Sequence, residues 1–553
     1  MESVRNCPIL ARWVLVSALF TMPMARYVSA PSLPLAPPGD DDLCPPLEPP
    51  TGNIVEVATV GELQNAVNSA VSGDTILIAE GTYQLDGVYL RIDVPNVTLR
   101  SASGNREGVV LDGNYVTTEI IQIIASDVTV ADMTLREAYN HPIHVMSTDS
   151  GHTLNTLIYN VHIIDPGEQA IKINPHTGQN AQYFTDNGTI ACSHIELTDA
   201  GRPHIRNNCY TGGVDAHQSR GWVIRDNLIE GFWCEYGLSE HGIHLWRACR
   251  DTLVERNEVR DNARGIGFGL VTSGEGVRTY ADNPCPGAVG YVDDYGGIIR
   301  NNFVFASDSD LFDSQSGFDC GICLANSCGT YALHNTVAST QAPFSSIEWR
   351  FDNTDADVVN NLVSHNLRDR EGTARLSGNL EHQPLSLFVD GSNGDLHLSE
   401  SASAAIDQGV AVTAGLCDDD FDGDARPIGD APDVGADEFG VAPPPAVTDL
   451  RISKMVTNAT TLTATLTWTP SEDAVTTTLR YNSARITEEN WEATTLLTDA
   501  LNGSASMFTA VISQSDPVYF AHRWQNAVGA WSGLSNNAFW PSFPLYLPLV
   551  LRR

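Results

Sequence analysis

The sequence predicts an all-β protein, a parallel β-solenoid followed by a β-sandwich, and three observations carry that prediction. Short β-branched runs broken by Gly, Asn and Asp recur from Asp74 to Asn366. An apolar phrase ending on Asn returns in them, as GWVIRDNLIEG at 221–231 and DTLVERNEVRD at 251–261. Asn227, Asn257, Asn302, Asn335 and Asn361 hold the same place in successive phrases. One residue kept at one corner fits coils stacked on one another, with Asn supplying a left-handed turn and side-chain hydrogen bonds. A single sandwich would not ask for it. Finally, beyond a proline-rich break, alternating strands surround Trp468 and Tyr481.

The chain has 553 residues, enough for two or three domains, and 42% are hydrophobic. Its formal charge is -37, from 68 acidic and 31 basic residues. Such a surface repels phosphate backbones, so nucleic acid is excluded as a partner. An anionic sugar would need a local cluster of cations. The lysines are Lys172 and Lys454, so arginine carries nearly all the positive charge.

Residues 1–30 read as a signal peptide: Arg5 and Arg12 precede WVLVSALFTMPM, and Val28-Ser29-Ala30 fits cleavage. That run is too short to span a bilayer comfortably, so a secreted or cell-surface protein is expected. Cys7 would leave with the signal, and the even number of remaining cysteines suggests disulfides. Cys192 with Cys209, and Cys234 with Cys249, are candidate local staples, but the sequence leaves the pairing open. Cys320, Cys323 and Cys328 could bind a metal, but without a second CxxC pair the disulfide reading is preferred.

Residues 31–53, rich in Pro and Asp, read as a linker. After the strand IVEVAT, Thr59 and Glu62 form a capping box. Leu63, Ala66, Val67, Ala70 and Val71 keep helical spacing, so a short helix is expected to cover the open end of the stack. The phrase GELQNAVNSAVSGDTILIAEGTY at 61–83 resembles the opening of secreted proteins of the pectate-lyase-like type. That resemblance runs over most of residues 54–440 and implies a right-handed parallel β-helix, a fold that hosts several reactions. Residues 395–440 resemble the closing segment of bacterial surface β-helix proteins. Within it Asp418, Asp420 and Asp422 alternate before Gly423, as in a calcium loop, though residue 429 is Gly where Glu is expected. Ca2+ is the one cofactor this segment suggests; the alternative, an acidic turn held by Arg426 with no cofactor, is preferred. Residues 441–446 are a second linker. Residues 447–540 resemble a fibronectin type III domain through AVTDLRI, TLTATLTWTP and YFAHRWQNAVGAWSGLSNN. The apolar tail at 541–553 is too short for a membrane span and resembles a sorting tail that could attach the chain to a cell surface.

The chemistry concentrates between Tyr210 and Gly269. Removing the C5 proton of a uronic acid residue requires a cation on the carboxylate, a base near the hydrogen, and an acid for the leaving oxygen or the opposite face. Arg247 suits the first role and His217 the second. Asp215, two residues from His217, shares its face on a strand. The phrase VDAHQSRGWVIRDN followed by EHGIHLWRACRDTLVERN is similar to the catalytic coils of alginate C5-epimerases. That family carries Asp-Pro-His-Asp, then His-Gly, then Arg six residues after that His. The resemblance implies His217 as base, Arg247 as carboxylate neutraliser, Asp215 as orienting group and His241 lining the subsite. Ala216 and Gln218 depart from the first phrase, and Tyr210 is displaced. Trp222, Trp246, His244 and Lys172 complete the candidate substrate-binding set. Trp222, Trp233 and Trp246 could stack on sugars or pack between coils. Lys172 could replace His217 as base, but is read as a solvated lysine, and Glu240 and His244 as surface or supporting groups. Asp293-Asp294 lacks the companion acids of a glycosidase.

Two functions follow. One is a monomeric, exported lyase or C5-epimerase acting on an acidic polysaccharide. The other is a non-catalytic adhesive stalk. They differ in whether His217 and Arg247 share one ledge.

Overall fold

A computed structural model describes residues 43–177, 182–274, 277–440, 446–457, 461–471, 474–513, 517–526 and 531–540. The signal segment, the tail and most of both linkers lie outside them. Among the described residues no helix is long and apolar enough to cross a membrane.

The first unit is a parallel β-helix. Its strands stack in register into a sheet of 22 strands and a second of ten, every ladder in both being parallel. The reason is visible in the inward rows. Across the large sheet Leu99 pairs with Val130, Val130 with Ile158, Ile158 with Ile190 and Ile190 with Ile224. Across the ten-stranded sheet Ile143, Ile171, Val214, Ile243 and Ile266 line up. All of these are fully buried. Burying one such side chain stabilises by about 1.5–3 kcal/mol, and each coil repeats the gain.

The expected helix spans Val60–Asn68. Thr59 Oγ1 accepts from the Glu62 N–H at 3.2 Å, and the Glu62 carboxylate accepts from the Ala58 N–H at 2.9 Å. Leu63, Ala66 and Val67 join the core of the first coils, whereas Val71 lies beyond the helix and is exposed.

The recurring asparagines are buried and form a ladder. Nδ2 of Asn227, Asn257, Asn302 and Asn335 each donates to Oδ1 of the next at 2.9–3.0 Å, and Asn361 extends the series to Asn379. Each Oδ1 also accepts the backbone N–H of the preceding Asn. The ladder residues are not the left-handed ones. Positive φ falls one residue earlier, at Asp226, Arg256, Asn301, His334 and Asn360. The corner places the ladder side chain inward, so the turn itself belongs to its neighbour.

The structure supplies the disulfide pairing, and neither candidate local pair is formed. Cys44 pairs with Cys192, Cys209 with Cys234, Cys285 with Cys328 and Cys320 with Cys323, leaving Cys249 and Cys417 as buried thiols. Stacking brings residues of different coils together, so sequence proximity misleads. Cys44 also shows that residues 43–52 are no free linker. Tyr159 Oη donates to the Pro45 carbonyl at 2.6 Å and Arg100 to that of Glu48 at 3.0 Å.

The closing segment folds back on the corner. Arg426 and Glu438 form a buried ion pair at 2.6 Å, and Arg256 reaches Asp419 at 2.7 Å. Asp418, Asp420 and Asp422 do not converge. Asp418 accepts from the Gly415 N–H, Asp420 from the N–H groups of Asp422, Asp424 and Glu438, and Asp422 faces His397. The acid sharing one point with Asp422 and His397 is Asp437.

The second unit is an antiparallel sandwich. Arg451–Thr457, Thr461–Thr467 and Met507–Ser513 form one sheet. Thr495–Asn502, Thr476–Asn482, Val518–Gln525 and Ala538–Trp540 form the other. Leu462, Leu466, Trp468, Phe520 and Trp524 fill the space between.

Candidate active site

One outward row of the ten-stranded sheet runs through His144, Lys172, Asp215, His244 and Gly267, in register on consecutive strands. At its centre Lys172 on Gln169–Asn174 and Asp215 on Gly212–His217 form a buried ion pair. Lys172 Nζ also donates to Tyr210 Oη at 3.0 Å and lies 3.3 Å from His217 Nε2. The other Asp215 oxygen accepts from Trp246 Nε1 at 2.8 Å. One ammonium therefore touches both a phenol and an imidazole.

The electrostatics separate these groups. Burial opposes the Lys172 charge, but Asp215 and then Tyr210 outweigh it and hold the ammonium above the ordinary lysine value. Burial pushes the Asp215 carboxyl up, and Lys172 together with His217 more than reverses this, holding it well below the usual carboxylate range. Burial pulls His217 below the ordinary histidine value, and Asp215 only partly restores it. Burial and then Asp215 raise the Tyr210 phenol. Near neutral pH the cluster thus holds a charged pair, a neutral imidazole able to accept a proton, and a phenol able to donate one.

His217 and Arg247 occupy neighbouring rungs beside one ring. His217 pairs in register with Trp246, and their rings meet edge to face at 4.9 Å. Arg247 follows Trp246 with its guanidinium carbon 5.6 Å from the indole centre. That guanidinium has no ion-pair partner among the described residues, and its left-handed backbone is fixed by Asp293, which accepts the Arg247 N–H at 2.9 Å. His217 keeps 18% of its side chain exposed, against 1% for Asp215, so the imidazole is the member of that pair that meets solvent. Beyond His217, Gln218 accepts from the Arg278 N–H at 2.7 Å, and the Cys285–Cys328 disulfide ties the same overhanging segment down.

Several assignments change. Lys172 is 4% exposed and ion-paired, not solvated; the positive charge that Asp215 enforces makes it a poor base. Trp222 is fully buried over Gly188, where a Cβ would come within 2.3 Å of the indole, and its Nε1 donates to the Thr185 carbonyl, so it cannot stack on a sugar. His241 is 1% exposed and His244 is fully buried, below any substrate surface. Instead His244 stacks under Trp246 at 5.1 Å. Tyr210 and Asp293 were not assigned roles from sequence. Tyr210 reaches Lys172 because the loop before Gly212, tied by Cys209–Cys234, absorbs its displacement.

No protein-family model matches the chain, and no curated protein does. Among solved structures, an alginate lyase from Paenibacillus sp. strain FPU-7 is 15% identical over 59% of this chain and 97% of its own, with a TM-score of 0.38. The polygalacturonase of Erwinia carotovora ssp. carotovora is 11% identical over 60% and 96%, with a TM-score of 0.30. The tailspike protein of E. coli bacteriophage HK620, in complex with a pentasaccharide, is 10% identical over 86% of each chain, with a TM-score of 0.35. The parallel β-helix assignment rests on the strand register itself.

Proposed function

We propose that this chain acts on an acidic polysaccharide, abstracting the C5 proton of a uronate residue as a lyase or a C5-epimerase. The observation that carries the reading is Lys172, whose ammonium touches both Tyr210 and His217 on an outward row. Neutral His217 takes the C5 proton. Arg247, free of a carboxylate partner among the described residues, binds the sugar carboxylate and spreads the charge that develops on it. Tyr210 returns a proton, either to the glycosidic oxygen or to the opposite face of C5. Asp215 holds Lys172 charged and positions His217.

The test incubates full-length protein with a panel of polyuronates, with and without Ca2+. Ultraviolet absorbance reports the unsaturated product of elimination, and proton NMR reports C5 inversion. Either signal, lost in His217→Ala, is the expected result. Silence in both across the panel favours the second reading, an adhesive surface protein, for which the acidic rod and the appended sandwich speak.

A further inference from the structure

Behind the charged pair, on the next coil, three polar side chains turn toward one another. Glu240, His241 and His244 lie in the segment that enters the Ile243–Trp246 strand. His244 Nδ1 is 3.0 Å from Glu240 Oε2 but lacks the alignment of a hydrogen bond, and His241 Nδ1 is 4.0 Å from the same oxygen. These three atoms have no hydrogen-bond partner among the described residues, although His241 and His244 are essentially inaccessible. An orphaned buried polar atom is destabilising, so three at one point call for something that satisfies all of them. The imidazole of His241 sits where a Cβ on Gly267 would approach within 2.5 Å, so the glycine leaves space for this ring.

We infer that Glu240, His241 and His244 form a binding site for one divalent transition cation of the zinc class. Two imidazole nitrogens and one carboxylate oxygen, all within 4.8 Å of one another, are the donor set of Zn2+ or Co2+. Ca2+ and Mg2+ instead take oxygen ligands. A single carboxylate among three protein ligands leaves a fourth position, and Asp215 Oδ1, 3.7 Å from His244 Nδ1, lies beside it. The guanidinium of Arg264, 3.7 Å from Glu240 Oε2, is turned onto the Ser239 carbonyl and leaves the centre to the three ligands. The site stands whether or not the chain acts on a polysaccharide.

The test uses full-length protein stripped with a chelator and titrated with Co2+, followed by d–d absorption, and with Zn2+, followed by thermal unfolding and metal analysis. The expected result is one ion per chain, visible cobalt bands without a thiolate charge-transfer band, and a higher unfolding temperature. Glu240→Gln keeps the shape of the least buried ligand and is expected to weaken Zn2+ binding at least about tenfold. His241→Gln and His244→Gln should do so more strongly wherever circular dichroism shows a native fold. No cobalt bands and no retained zinc in natively folded protein would overturn the site. So would binding undiminished by Glu240→Gln. A thiolate band that grows on reduction would also overturn it, because it would place the ion on Cys320 and Cys323, which share His241.

Discussion

The asparagine ladder and the Lys172 row are the same device put to opposite ends. Both place one residue per coil in line, and both rely on the in-register stacking of a parallel sheet. In the ladder every rung holds Asn, and each amide satisfies the next, from Asn227 to Asn379. Nothing is left to react. In the outward row the residue changes at every rung, from His144 to Lys172, Asp215, His244 and Gly267. Unlike neighbours shift one another's proton affinities and leave atoms unsatisfied. Uniform stacks specify the scaffold; broken ones make sites.

Removing the imidazole that flanks the broken row should have the largest effect. His217→Ala is expected to lower turnover of the responsive polyuronate about 10²–10⁴-fold, the range of general base catalysis. The unfolding temperature should stay within a few degrees, because only a partly exposed ring is lost. A variant that keeps full activity would move the base elsewhere. Next comes the buried pair. Asp215→Ala strands the Lys172 ammonium and should cost about 3–5 kcal/mol in denaturant unfolding, whereas Lys172→Met with Asp215→Leu should cost much less. Equal losses would mean the pair contributes packing rather than charge.

The ladder gives the contrasting result. Asn302→Ala removes donors to the Val254 and Arg300 carbonyls and to Asn335, and leaves Asn257 without its acceptor. The expected cost is about 1–3 kcal/mol, seen in thermal unfolding, with turnover at low temperature unchanged. A loss of activity without loss of stability would contradict the division between scaffold and site.

How much of this the sequence discloses follows the same line. The ladder was legible because uniform stacking repeats a residue, and the helix cap because Thr59 and Glu62 are close in sequence. Long-range pairing was not legible. The Cys44–Cys192 bridge and the contact of Tyr210 with Lys172 depend on how many residues each turn consumes, and those turns differ. Burial was misjudged at Trp222, His241, His244 and Lys172 for a related reason. Gly188 makes room for the indole of Trp222 and Gly267 for the ring of His241, while Lys172 is covered by its contacts with Asp215 and Tyr210. The proximity of Asp215, His217 and Arg247 was legible because strand alternation and neighbouring rungs keep them close in sequence.

The pH profile sharpens the comparison last and least, since it shifts rates by less than a substitution does. The ladder holds no titrating group, so the pH dependence of turnover is expected from the groups that contact Lys172 in the broken row. Burial lowers the His217 pKa below 6.5, so the base is already deprotonated at neutral pH and the acid limb of kcat/KM should turn below 6.5. Burial and Asp215 raise Tyr210 above 10, so the alkaline limb should turn beyond 10. Between them the rate should be flat. Tyr210→Phe should abolish the alkaline limb and leave the acid limb in place, and Lys172→Met should move both, because one ammonium faces both groups. For stability the sign is fixed by the unfolded chain, whose histidine binds a proton first. The contribution of a neutral His217 is present above pH 6.5 and is lost as pH falls toward its lower folded value. An acid limb that turns above 6.5 would show that the group titrating in the free enzyme is not this imidazole.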